Sequence, residues 1–138
     1  MTNQNGWEGQ RIMTETADII GRYVAVWNEP DPAARRAGIA AIWAPGGVEF
    51  LEAGVQYRGH EELADRVTRA YDAFVGSGKY AVTSAGDAAR HDDIITFTAQ
   101  LTTPAGETDW AARVFLLLAP DGLVREDYHL TIQPLPPA

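Results

Sequence analysis

The sequence predicts an α+β fold in which a cone-shaped, curved antiparallel sheet is wrapped around N-terminal helices. Apolar residues recur at three- and four-residue spacing only in the first half of the chain, the period of helices with one buried stripe. The second half consists of β-rich runs separated by Gly, Pro and Asp, which is the punctuation of consecutive hairpins. At 138 residues and 46% hydrophobic content, with no low-complexity tract, the chain reads as one domain able to line one pocket.

Element by element, residues 1–13 are polar and expected to be disordered, 14–133 form the domain, and 134–138 are a proline-rich tail. Ile19, Ile20, Tyr23, Val24 and Trp27 form the stripe of a first helix that Asn28-Glu29-Pro30 ends. Asp31-Pro32 pairs an N-cap residue with proline at the first helical position, opening a short second helix with Ile39, Ile42 and Trp43 on its buried side. Pro45-Gly46-Gly47 stops it, and a first strand follows from Val48 to Ala53. Leu63, Val67, Tyr71 and Phe74 predict a third helix from about Gly59 to Val75, broken at Gly76-Ser77-Gly78. Strands are then expected at Tyr80–Ala85, Ile94–Thr103, Trp110–Leu118 and Leu123–Ile132, joined by tight turns. A twisted sheet folded over helices leaves a conical cavity.

Composition narrows the partners. Eleven Lys+Arg against 19 Asp+Glu give a formal net charge of −8 with no basic stripe, which argues against nucleic acid and anionic membranes. The absence of cysteine removes disulfides, thiolate metal sites and a Cys nucleophile. The polar start and the short longest apolar run, Val114–Ala119, predict a cytoplasmic protein without a membrane span. His60 and His91 lack a partner at ligand spacing and read as surface residues, so neither a metal nor a cofactor is expected. No nucleophile elbow or phosphate-cradling glycine loop is present.

Strand alternation sets Val48, Phe50 and Glu52 on one face and Glu49, Leu51 and Ala53 on the other, so Glu52 rides with the apolar set. A desolvated carboxylate there has a raised pKa suited to acid/base work; otherwise it turns to solvent or pairs with Arg58. Asp127 and His129 share a face of the last strand, which lines either a wet cavity or the solvent. Arg113, in the most apolar strand, needs a carboxylate partner if buried, for catalysis, as a structural pair or at a dimer contact. Val114–Leu118 is apolar on both faces, which predicts a homodimer covering the outer one. Tyr23, Trp27, Phe50 and Trp110 are aromatics for a cavity wall, with Tyr57 and Tyr128 as further contacts for a hydrophobic small molecule.

The order of elements, with Trp27-Asn28, Tyr57 to Leu63, His91-Asp92-Asp93 and Asp121 to Tyr128, resembles the nuclear transport factor 2-like superfamily, and within it the SnoaL-like, polyketide cyclase and ketosteroid isomerase-like branch. The resemblance covers about residues 14–132 and implies the superfamily's cystatin-like roll. It also implies a cofactor-independent acid/base enzyme of cyclase, isomerase or dehydratase type in natural-product metabolism. Glu52 falls where ketosteroid isomerases keep a proton-shuttling aspartate, but Ala53 replaces the usual proline, and Asp127 and His129 resemble the cyclases' acid/base positions. An arginine between two carboxylates, here Arg113, is how limonene-epoxide hydrolases look. The alternatives are therefore epoxide opening or a module that binds without converting.

Overall fold

The computed structural model describes residues 3–137. Helix α1 (Asn3–Asn28) buries Thr16, Ile19, Ile20, Tyr23, Val26 and Trp27 on one stripe. Its first turns, in the segment expected to be disordered, are helical from Asn3 onward; Met1 and Thr2 lie outside the described residues. Those turns project exposed side chains, Trp7 among them, and are joined by a Glu8–Arg11 pair, so they extend a helix whose packed part begins at Thr16. Asn28 ends α1 by exchanging two side-chain hydrogen bonds, each 2.8 Å, with the backbone N–H and C=O of Val82, standing in for one residue of a strand pairing. Helix α2 (Pro32–Ile42) starts as its sequence requires: Asp31 accepts from the Ala34 N–H at 2.8 Å and proline occupies the first turn.

Arg35, on α2, is a buried cation with no carboxylate in contact. Its guanidinium donates to the carbonyls of Glu29 (2.7 and 3.0 Å) and Pro30 and to Thr68, and lies 4.6 Å from the Tyr71 ring centroid. The unpaired carbonyls just beyond a helix end are where a positive charge is favoured.

The sheet has seven strands: β1 (Trp43–Phe50), β2 (Gln56–Arg58), β3 (Ala81–Ser84), β4 (Ala89–His91), β5 (Ile94–Thr102), β6 (Thr108–Leu118) and β7 (Val124–Gln133). Its order is β2-β1-β7-β6-β5-β3, with β4 also on β5, and it is curved and unclosed. The expected antiparallel sheet is mixed, because β1 runs parallel to β7. The chain returns to β1's side through the whole of α3 (Gly59–Ala70), a π-helical turn (Tyr71–Val75) and the meander, and no hairpin geometry constrains that last pairing. The short β2 and β4 carry too few residues to show a period of two.

Helices pack on one face of the sheet, against Ile95, Phe97, Ala99, Val114, Leu116 and Val124. Strand β1 breaks register between Trp43 and Val48, and Gly47 is required there: a Cβ would stand 2.9 Å from the Val124 carbonyl oxygen. Among the described residues no helix is long and apolar enough to cross a membrane. Replacing Arg35 by Ala is expected to lower stability in urea titrations by about 2 kcal/mol, with Lys restoring little because it lacks the planar fork.

Candidate active site

The pairing of β1 with β7 decides what faces inward. Glu49 stands opposite Asp127, and Phe50 opposite Tyr128, so the former pair points to the helices and the latter away from them. Asp127 and His129, two apart on β7, share that inner face. Arg66 comes down from α3, one position before buried Val67, and Tyr23 from the middle of α1.

These five side chains form one network, buried except for the partly exposed Arg66. The Tyr23 hydroxyl donates to Asp127 Oδ2 at 2.8 Å and lies 2.6 Å from His129 Nε2. With the single phenol proton on Asp127, the imidazole Nε2–H is the donor to the Tyr23 oxygen. The same Nε2 is 3.1 Å from Asp127 Oδ1 and 3.2 Å from Glu49 Oε2, while Arg66 Nε donates to Glu49 Oε1 at 3.1 Å. Glu49 and Asp127 side chains are 0% exposed. Burial raises the Glu49 carboxyl pKa, and Asp127 adds to this against the pull of His129 and Arg66. For His129, burial disfavours the charged ring, but Asp127 and Glu49 outweigh it and hold the imidazole above its ordinary value. Tyr23 is raised well above its ordinary value by burial and by the two carboxylates, which keeps it a neutral donor. With His129 protonated the set of two anions and two cations is formally neutral, the condition under which charges survive in a dry interior.

A cavity of about 150 Å³ opens against this network. Tyr23, Trp27, Arg66, Trp110 and His129 supply its polar and aromatic wall, and Val82, Ala99, Leu101, Phe74, Val75 and Leu135 the remainder. Glu49 and Asp127 lie behind His129 and do not line it. His129 Nδ1 and Trp27 Nε1 have no hydrogen-bond partner. Chemically the arrangement is an imidazole at a cavity wall whose Nε2 is hydrogen-bonded to the Tyr23 hydroxyl, with two carboxylates 3.1–3.2 Å away that stabilise the protonated ring. Glu49, Asp127 and His129 also bring three potential metal-ligand atoms within 4.8 Å of one another, the one such group among the described residues.

Several expected site residues stand elsewhere. Glu52 is not on β1: Ala53 and Gly54 take positive φ of 63° and 76°, the chain turns after Phe50, and Glu52 is exposed. Its Oε1 accepts the Thr131 N–H at 2.7 Å, and this bond holds the carboxyl below its usual range, the reverse of what a buried acid would show. The apolar set Val48 and Phe50 does share a face, but it is the outer one, where Phe50 stacks on Tyr128 at 4.8 Å between centroids. Neither Phe50 nor Tyr128 reaches the cavity. Tyr57 is half-buried beside Arg66 and Arg69, 5.7 and 5.6 Å from their guanidinium carbons, and is not a lining residue. Arg113 is on the outer face opposite Leu130, bound to Asp87 at 2.7 Å and to Thr96 and Thr98, which takes away the arginine on which epoxide opening was argued. Tyr23, Trp27, Trp110, Asp127 and His129 are brought to the site. Glu49 and Arg66 were missed. The available signal was the alternation itself, since the residue between Val48 and Phe50 occupies the opposite face.

No family model matches the chain, and no curated protein matches it. Among solved structures it is similar to a candidate isomerase of the SnoaL-like family from Agrobacterium tumefaciens, with TM-score 0.76 and 23% identity over 86% of this chain and 97% of that one. A candidate SnoaL-like polyketide cyclase from Jannaschia sp. aligns at TM-score 0.62 and 20% identity over 86% of each chain. A de novo designed protein with a curved β-sheet aligns at TM-score 0.64 and 12% identity over 90% of this chain and 87% of that one. The likeness carries the fold, that of nuclear transport factor 2-like and cystatin-like proteins, and a designed chain of the same shape separates architecture from chemistry.

His129 binds its proton more tightly folded than unfolded, so its contribution to stability is present below the unfolded value of 6.5 and is lost as pH rises through the higher folded one. Glu49, also raised, acts in the same direction from its ordinary 4.5 upward. Unfolding free energy from urea titrations is expected to decline as pH rises above 4.5 and further above 6.5, and His129→Gln to flatten the second part of that decline.

Proposed function

We propose that this chain, with the fold of the SnoaL-like proteins, is a cofactor-independent acid/base enzyme acting on a hydrophobic small molecule, by isomerisation, cyclisation or dehydration next to a carbonyl. The observation that carries the reading is the 3.1–3.2 Å approach of two buried carboxylates to Nε2 of an imidazole on the wall of an apolar cavity. His129 takes or gives the proton. Asp127 and Glu49 stabilise the imidazolium as it forms, Tyr23 fixes the Nε2–H tautomer through its bond to Asp127, and Arg66 holds Glu49 in place. Trp27 and Trp110 exclude water and offer faces to a flat ring.

Exchange of the α-protons of 2-tetralone, a flat bicyclic ketone, in D2O followed by proton NMR tests this. His129→Gln is expected to slow the protein-dependent exchange about a hundredfold. Glu49→Gln acts in the same direction, and Glu52→Gln leaves it unchanged. Exchange that persists undiminished in His129→Gln removes the imidazole from the chemistry.

We further propose that the outer sheet face pairs with a second copy of the chain. Phe50, Phe115, Leu117, Tyr128, Leu130 and Ile132 form a continuous apolar ladder there, with Leu130 51% and Ile132 60% exposed. Arg113 on this face is paired with Asp87 and Glu126 accepts from Tyr128, so the exposed apolar residues suit a self-complementary partner rather than an oppositely charged one. Sedimentation is expected to show a dimer that Leu130→Glu converts to monomer; a monomeric parent protein would end this reading.

A further inference from the structure

The cavity wall carries hydrogen-bond donors with nothing to donate to. Arg66 uses only Nε within the protein: among the described residues its two terminal nitrogens make no hydrogen bond. Trp27 Nε1 is buried and unpartnered, and so is His129 Nδ1, which bears a proton whenever the ring is charged. The three side chains are neighbours on the cavity wall. The Arg66 guanidinium carbon is 5.1 Å from the centroid of the Trp27 ring, and the Trp27 and His129 rings are 6.1 Å apart. The unpartnered acceptors, Glu49 Oε2 and Asp127 Oδ1, belong to residues that do not line the cavity, and the phenol oxygen of Tyr23 already accepts from Nε2. Opposite the donors lie Val82, Ala99, Leu101, Phe74 and Trp110.

A buried donor without a partner costs free energy, so a wall that leaves several of them open is matched by a ligand rich in acceptors. A guanidinium with both terminal nitrogens free prefers a planar anion that accepts two bonds at once. We propose that the substrate is an amphipathic aromatic or polycyclic acid whose carboxylate is bound by Arg66 and Trp27, placing the adjacent carbon beside His129, while its ring system lies against the apolar wall. The proposal rests on the acid/base reading for the role of His129, but the head-group recognition is separable from it. An ammonium ligand is disfavoured on the same wall, because Arg66 stands between any such cation and Glu49.

Isothermal titration calorimetry with 2-naphthoate, 2-naphthamide and 2-naphthylmethylammonium tests the preference. The carboxylate is expected to bind about tenfold or more tightly than the amide, and the ammonium least. Trp27→Phe removes the indole N–H together with part of the ring, and is expected to weaken 2-naphthoate by about threefold or more. Arg66→Gln combined with Glu49→Gln exchanges the ion pair for a neutral one and is expected to erase the preference for carboxylate over amide. Equal affinity for the three compounds, tighter binding of the ammonium, no binding of any of them, or an unaltered preference in the double variant would each overturn the proposal. Tetralone exchange without carboxylate preference refutes the head-group inference alone, and carboxylate preference without exchange refutes the acid/base reading alone.

Discussion

Three ionisable side chains, Glu49, Asp127 and His129, are held out of water beside a small cavity, and the parallel pairing of β1 with β7 is what assembles them. Glu49 and Asp127 become neighbours only because these two strands lie side by side in that register. Two carboxylates so placed repel each other, and the cluster is stable because Arg66 and His129 arrive from a helix and from β7 itself to neutralise them. Taking away one partner of such a buried set costs about 3–5 kcal/mol, since the remaining charges have no water to turn to. The helices therefore do more than cover the sheet. They deliver Tyr23 and Arg66 to the points where the sheet's charges would otherwise be uncompensated.

Much of the architecture was legible in local pattern. The stripe from Ile19 to Trp27, the Asp31-Pro32 start of α2 and the glycine-punctuated strands each carry their own short-range physics, and each appears where that physics puts it. The site was legible only in part, because its decisive contact is between residues 78 positions apart, Glu49 and Asp127, which no periodicity connects. Alternation along β1 correctly separated Glu49 from Val48 and Phe50, but it does not say which face is inside. Apolarity is a misleading guide there, since the apolar face of β1 is turned away from the helices and the acid is turned toward them. Glu52 was further misplaced because the strand ends at Phe50, ahead of a turn through a left-handed Ala53 that sequence propensity does not anticipate. Arg113 falls on the outer surface for a related reason: the parity of a strand position decides between a cavity and an outer surface, only the tertiary pairing sets which parity is inside, and the arginine at the cavity, Arg66, comes from α3.

The curved sheet over helices is a shape that a designed sequence also reaches, so it accounts for the existence of a cavity and not for its contents. What distinguishes this chain is the composition of one wall. Aromatic rings surround Tyr23 at 5.4 to 6.0 Å, from Trp43, Phe97 and Trp27, and dry the phenol that reads the state of Asp127 and His129. Low local polarity is thus the common cause of the raised tyrosine and glutamate pKa values and of the persistence of short contacts among charged groups.

The π-helical turn after α3 separates two kinds of change. Its residues Phe74 and Val75 border the cavity, while Arg66 lies more than one helical turn earlier, on the regular part of α3 anchored by Leu63 and Val67. A π turn is a helix that has already absorbed an odd residue, so gain or loss of a single position there is taken up locally and does not rotate the helix before it. The rim of the cavity and its charged floor are in consequence independent mechanical parts. A residue gained or lost in the rim would change the shape of the cavity mouth while the buried charged cluster beneath keeps its register.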